Sequence, residues 1–216
     1  MELTVRLSDN LMRFQKYFQR YGALETVLHL FKVFNRSLLG NQTFIFFVNL
    51  CDVPKEYNKL PLDIKIEYIN SEHEIKENDL TRLTSYWVKE ILYRNIKERF
   101  KRSDTGLWVL RVQEEIVAFL WSTSNIQNRD WFFPYTDRDM YLFDHVTLPE
   151  HRGKRYHSIL MQYVLYELKK RGFVRCFMYV FKWNKSSLKS VAKMDWKFFG
   201  TARKFHIFNK VITIWG

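Results

Sequence analysis

The side chains best suited to chemistry lie close together between Met140 and Gly172, in MYLFDHVTLPEHRGKRYHSILMQYVLYELKKRG. Asp144 and His145 are adjacent titratable residues within Met140 to Leu148, an aromatic and branched run that predicts a strand. Successive strand residues face opposite ways, so a regular strand offers only one of the pair to a given side. Histidine, with an ordinary pKa of about 6.5, suits proton removal near neutral pH, and an aspartate raised by burial can do the same. Pro149 ends the strand, because proline cannot donate to a ladder. Arg152-Gly153-Lys154-Arg155 follows, and then an amphipathic helix in which Ile159, Leu160, Tyr163, Val164 and Leu168 recur at helical spacing, closed by Gly172. A strand running through a short basic loop into a helix start binds anions, because the first-turn amides and the positive helix end face the loop. The cations around it favour phosphate.

The elements that must position this stretch are legible on either side of it. Residues 9 to 39 predict a helix broken at Tyr21-Gly22, with Phe14, Tyr17, Phe18, Leu24, Val27, Leu28, Phe31, Phe34 and Leu38 forming an apolar stripe. Arg6, Arg13, Lys16, Arg20, Lys32 and Arg36 make this region basic, so it can pack on the rest of the chain or lie on a membrane surface; packing is the expectation. Thr43 to Asn49 reads as a short strand, and the polar Lys55 to Pro61 marks a boundary between an extension, 1–60, and a main domain, 61–216. Asp63 to Ile69 alternates as a half-buried strand, and Glu77 to Phe100 reads as one helix capped by Asn78 or Asp79. Leu107 to Val112 and Ile116 to Thr123 form a hairpin across Gln113-Glu114. Asn125 to Asp139 is a long loop holding Trp131-Phe132-Phe133-Pro134-Tyr135, which either binds a ring or caps the core. Strands follow at 176–181, 198–208 and 211–215.

Composition narrows the function classes. Hydrophobic residues make up 47% of the 216, which suits a folded core and excludes a disordered chain. A net charge of +12 attracts polyanions, phosphorylated cofactors and sugars among them. Nucleic acid is not expected as a partner, since no basic tail or zinc spacing accompanies the charge. Cys51 and Cys176 form no disulfide framework and are both expected to be buried, and no secretory signal is evident, so the expected location is the cytoplasm. His29, His73, His145, His151, His157 and His206 show no metal-ligand spacing, and no metal is expected.

Arg152 to His157 resembles the acyl-CoA-binding signature of the GNAT superfamily of N-acyltransferases: Gln or Arg, two residues, Gly, one residue, then Gly or Ala. Arg155 and His157 stand where that signature has glycine and Gly/Ala. Further on, Asn184-Lys185-Ser186-Ser187-Leu188 resembles the family's Asn-x-x-Ser helix start, and Met194-Asp195-Trp196 stands where Leu-Gly-Phe is usual. The resemblance covers roughly residues 62 to 210. It implies an α/β (α+β) fold with a mixed, mostly antiparallel sheet flanked by helices, here with a helical N-terminal extension.

The resemblance also implies a reaction. Acyl-CoA, most simply acetyl-CoA, and an amine bind side by side, and the amine attacks the thioester directly. The pantetheine arm would pair with backbone at His145, Val146 and Thr147. The pyrophosphate would sit on Arg152, Gly153, Lys154, Arg155, Tyr156, His157 and Ser158, with Asn184 and Ser187 approaching from the next helix. Asp144 and His145 are the candidate catalytic residues, Asp144 as the residue on the acceptor side. Tyr141 and Val191 occupy positions where relatives hold catalytic acids. Within the superfamily the chain looks most like enzymes of bacterial surface-polysaccharide pathways, which implies an amino sugar, free or nucleotide-linked, as acceptor. A protein or small-amine acceptor, and a CoA-binding protein that has lost catalysis, remain open at this point.

Overall fold

Residues 2–39, 41–57, 60–84, 86–87, 89–102, 104–124, 132, 135–207 and 210–216 are described by the computed structural model. Their eight strands form one sheet in the order β2-β3-β4-β5-β6-β1-β7-β8. The strands are β1 (Asn41–Asn49), β2 (Ile64–Ile69), β3 (Thr105–Val112), β4 (Glu115–Thr123), β5 (Asp139–Thr147), β6 (Arg175–Phe181), β7 (Lys197–Ile207) and β8 (Lys210–Trp215). Every neighbouring pair is antiparallel except β5 and β6, so the sheet is mixed and mostly antiparallel, as the resemblance implies. The helices are α1 (Glu2–Leu39), α2 (Glu77–Thr84), α3 (Lys89–Phe100), α4 (Tyr156–Lys170) and α5 (Lys185–Val191).

Alternation along the strands sends side chains to two separate cores. On one face, Leu160, Met161, Val164 and Leu168 of α4 pack against Leu110, Leu120, Met140, Leu142 and Met178. On the other, α2 and α3 bring Leu83 and Ile96 onto Leu107, Val109, Phe119 and Trp121. The β3–β4 turn is short because Gln113 (φ 51°) and Glu114 (φ 66°) both adopt left-handed backbone, the twist that suits a two-residue hairpin.

Three local expectations need correction. The stretch 77–100 is two helices: α2 ends at Thr84 and α3 begins at Lys89. Hydroxyl, aromatic and β-branched residues between them are poor helix formers, and Lys16 of α1 donates to the freed carbonyls of Thr84 (3.0 Å) and Trp87 (2.7 Å). Asp79 is not a cap but a buried residue inside α2, paired with Arg111. Cys176 is buried, whereas Cys51 is exposed.

Gly22 (φ 80°, ψ 178°) breaks α1 where the sequence places the break. The apolar stripe packs on the domain only in part. Phe14 and Tyr17 are half-buried, but Leu24, Val27, Leu28 and Phe31 are exposed. The break resets the helical phase, so the second half does not continue the buried line of the first. Among the described residues no helix is long and apolar enough to cross a membrane.

Two long-range features hold the frame. Arg111, only 1% exposed in its side chain, donates to Asp79 (2.8 and 2.6 Å), to Glu67 (2.6 Å) and to the Glu114 carbonyl (3.1 Å). The bond to Asp79 raises the guanidinium's pKa against the opposing effect of burial, so the charge persists and ties α2 to β2 and the hairpin. The other feature is β1, which pairs with β6 on one side and β7 on the other. Residues 41–49 therefore lie inside the sheet that residues 64–215 otherwise build.

Both features are testable by urea denaturation. Asp79→Ala leaves a buried guanidinium short of its partner and should cost about 3–5 kcal/mol, whereas Asp79→Leu with Arg111→Met should recover most of that loss. A chain starting at Leu62 lacks β1 and exposes the facing edges of β6 and β7. It should be insoluble or have a clearly lower urea midpoint; an unchanged midpoint would show β1 to be dispensable.

Candidate functional site

β5 and β6 run parallel and pair only at Asp139↔Arg175, Met140↔Cys176 and Tyr141↔Phe177. Asp139 clasps this end: it accepts two bonds from Arg175, both 2.7 Å, and one from the Thr136 amide at 2.9 Å. Burial pushes its carboxyl up, but these bonds outweigh burial and hold it below the usual carboxylate range. Asp139 is thus a structural anion, not a proton acceptor for catalysis. Past Tyr141, β5 pairs with β4 and β6 pairs with β1, so the edges that β5 and β6 turn toward each other diverge. Backbone groups along such an opening call for other partners.

A β-bulge sits at the opening. Phe119 opposes Val146 and Trp121 opposes Phe143, so two residue steps on β4 match three on β5. Asp144 takes the strained step with φ 47°, which aspartate tolerates better than most residues. The bulge reverses the alternation and so decides which candidate catalytic side chain faces which side. Asp144 is exposed and ion-paired with Arg99 of α3, whose guanidinium lies 4.9 Å above the Trp121 ring and 5.2 Å above Phe143. His145 points the other way, with its ring 5.7 Å from that of His157 on α4.

The two histidines form a neutral pair. Burial, then the nearby His157, lowers His145 to about 3 against a hydrogen bond to the Leu142 backbone, and burial lowers His157 as well. His145 Nε2 and Thr147 Oγ1 are buried with no partner among the described residues. Unpaired buried polar atoms are costly, so their place beside the opening favours a ligand that meets them.

Asp144 and Arg99 also line a cavity of about 570 Å³. Its floor is Val109, Phe119 and Trp121, its wall is Trp87 and Ile91, and α1 contributes Lys16, Tyr17, Arg20 and Tyr21. Neither Arg99 nor the α1 wall is apparent from the sequence, because both reach the site through tertiary packing. Tyr141 and Tyr179 stack at the mouth of the opening, 5.8 Å apart. Burial, then Tyr179, raises the Tyr141 pKa, which keeps its phenol protonated. Tyr179 could have been found by pairing the alternation of the two strands.

The basic loop is built from two left-handed residues. After a single 3₁₀ turn at Pro149–His151, Gly153 has φ 83° and Arg155 has φ 62°, and the chain then enters α4. Arg155 thus keeps, without a glycine, the backbone shape that glycine adopts easily, at roughly 1 kcal/mol. The Arg152 amide donates to the Pro149 carbonyl (3.3 Å), so it is not open to phosphate as expected. The Ile159 amide makes a helical bond to the Arg155 carbonyl (3.1 Å), and the amides of Tyr156, His157 and Ser158 are first-turn amides that a helix leaves unpaired. Arg152, Lys154 and Arg155 are exposed beside them. These features fit a diphosphate.

Other expected residues are placed elsewhere or differently employed. Asn184 caps α5, its side chain accepting the Ser187 amide at 3.2 Å. Val191 is buried in the α4-side core and carries no proton to give. Of the aromatic loop, Trp131, Phe133 and Pro134 lie outside the described residues. Phe132 is buried against Tyr179 and Trp215, and Tyr135 packs near Phe177, so the described part caps the core. Among the described residues no cluster of three His, Cys, Asp or Glu could hold a metal ion.

Comparisons with known proteins agree with this architecture. The sequence pattern of the acetyltransferase (GNAT) family matches residues 72–196, more than half of the chain. No curated protein matches the sequence. Similar solved structures include a conserved Staphylococcus epidermidis protein of unknown function, with TM-score 0.53 and 12% identity over 77% of this chain and 62% of that one. A Drosophila protein gives TM-score 0.50 and 12% identity over 74% of this chain and 48% of its own. A GCN5-related glucosamine N-acetyltransferase region in a fungal multi-domain GH3 β-N-acetylglucosaminidase gives 0.52 and 16%, over 74% of this chain and 20% of that one. The chain thus spans less than two thirds of the length of these proteins, and at such identities the likeness is one of fold.

Two measurements follow from the site. Arg155→Gly relieves the left-handed backbone and should leave stability unchanged or raise it by up to about 1 kcal/mol in urea titrations. The histidine pair sets a pH dependence. Below about pH 6.5 the unfolded chain takes up protons that the folded imidazoles refuse, so stability should fall as pH drops from about 6.5, well before carboxylates titrate. His145→Gln should flatten this slope between pH 6.5 and 4.5; an unchanged slope would place the titration elsewhere.

Proposed function

Because the chain belongs to the GNAT acetyltransferase family, we propose that it is an acyl-CoA-dependent N-acyltransferase whose acceptor is an amine, with an amino sugar, free or nucleotide-linked, as the class that the sequence resemblance implies. The observation that carries this reading is the divergence of β5 from β6 at a bulge, beside a left-handed basic loop that opens α4. Acyl-CoA, when bound, supplies the acyl group as a thioester and leaves as the thiol. The open edge of β5 at His145, Val146 and Thr147 is suited to pair with the pantetheine amides. The amides of Tyr156, His157 and Ser158, with Arg152, Lys154 and Arg155, hold the diphosphate.

The remaining residues act on the acceptor. Asp144, steered by Arg99, holds the incoming ammonium and accepts its proton on the cavity side of the bulge. His145 is neutral and faces α4, so it serves the cofactor side. Tyr141 stays protonated at the mouth of the opening, where its phenol is hydrogen-bonded with Tyr179. Positioning of amine and thioester at one opening supplies the rest of the acceleration. The amino-sugar acceptor rests on the sequence resemblance; the fold likeness to a glucosamine N-acetyltransferase region does not extend to its substrate.

A thiol-release assay with acetyl-CoA against hexosamines, nucleotide-linked amino sugars, small amines and peptides tests the activity. Acetyl-CoA at a hundredfold excess over its Kd should stabilise the protein by ~2.7 kcal/mol, and a folded sample with no thermal shift from any acyl-CoA would refute the reading. Gly153→Val should weaken CoA binding at least tenfold, about 1.4 kcal/mol. Asp144→Asn should lower kcat/KM at least about a hundredfold with the CoA Kd retained, and His145→Gln less than about tenfold. The reverse order would move the proton-accepting role to His145.

A further inference from the structure

We propose that the cavity beside Asp144 selects acceptors whose amine is carried on an apolar ring or chain, and that it discriminates against bare hexosamines and polycationic sugars. The inference rests on the N-acyltransferase reading and concerns the acceptor alone. The cavity is walled by side chains from three directions: Phe119 and Trp121 from the sheet, Trp87 and Ile91 from the α2–α3 region, and Tyr17 and Tyr21 from α1. Its volume, about 570 Å³, is that of a pocket for a small organic molecule.

Apolar surface outweighs polar in this lining, whose polar groups among the described residues are one carboxylate, three cations, Asn95 and three tyrosine hydroxyls. Asn95 and Arg99 sit one turn apart on α3, and Arg99 meets Asp144 at the bulge, so one end of the cavity is polar. Lys16 is held by the Thr84 and Trp87 carbonyls, and Arg20 lies 5.7 Å from the Tyr21 ring. A hexosamine presents hydroxyls on every side, and these would exchange water for aromatic and aliphatic surfaces with few acceptors. A polycationic sugar needs several carboxylates. Asp144 is the one carboxylate among the described lining residues, against three cations. An amine on an aryl or alkyl body places its ammonium at Asp144 and its apolar part against Trp87, Phe119 and Trp121. A nucleotide-linked amino sugar brings the same hydroxyls and a diphosphate, so it gains only its base against these walls and should rank below the apolar amines.

The test uses the full chain at saturating acetyl-CoA and compares kcat/KM for 2-phenylethylamine, hexylamine, glucosamine and a nucleotide-linked glucosamine. The ring- or chain-bearing amines should exceed glucosamine at least tenfold. Trp87→Ala and Tyr17→Ala should each raise KM for the best of them at least tenfold while the Kd for CoA stays within twofold. Glucosamine turned over as well as or better than the others would overturn the inference and leave the N-acyltransferase reading intact. If kcat/KM instead climbs with acyl-chain length and is indifferent to the amine's body, the cavity holds the acyl chain and the inference fails. Should no amine be turned over, tryptophan fluorescence with CoA present decides: saturable quenching by phenylethylamine but not glucosamine supports it, and no quenching refutes it. Loss of the CoA-induced thermal shift, by contrast, would count against the enzyme reading itself.

Discussion

The pairing of Arg175 with the buried carboxylate of Asp139 is the interaction on which the site depends. It fixes β5 and β6 side by side where they begin, so that their later divergence has a defined origin. A pair of parallel strands left to itself would continue its ladder. Here the ladder stops after three residue pairs, while each strand stays paired to its antiparallel neighbour on its other edge, and an opening follows. The outer ladders to β4 and β1 hold the two strands in the sheet where their shared ladder ends. The clasp must stay charged to work, and its hydrogen bonds keep the Asp139 carboxyl ionised despite burial.

The bulge then divides labour between two adjacent residues. One extra residue in β5 gives Asp144 to the α3 side and His145 to the α4 side. Solvent and Arg99 meet the aspartate, whereas burial strips the histidine of its charge. Two neighbours in sequence thus reach different environments. The loop after β5 uses the same device: Gly153 and Arg155 take left-handed backbone just before the chain enters α4.

The N-terminal sixty residues serve both the frame and the site. β1 fills the place between β6 and β7, and the first half of α1 walls the cavity at Lys16, Tyr17, Arg20 and Tyr21. Lys16 binds this wall to the gap between α2 and α3 through two carbonyls. Cavity lining and sheet completion are therefore supplied by one continuous stretch.

Features with a local cause were legible in the sequence. Pro149 ended the strand, Gly22 broke α1, Gln113-Glu114 made the hairpin turn, and the basic loop led into the helix α4. Each depends on residues within a few positions of one another, so its physics is present in the chain before it folds. The fold class was legible for a related reason, since strand and helix periods set which faces can be buried. The gap between α2 and α3, the exposure of Leu24, Val27, Leu28 and Phe31, the pairing of Arg99 with Asp144 and the place of β1 were decided only in the tertiary structure. Arg99 and Asp144 are 45 positions apart, and no local pattern encodes their meeting. The facing of Asp144 and His145 was beyond reach as well, because one bulged residue reverses the alternation from which any strand parity is read.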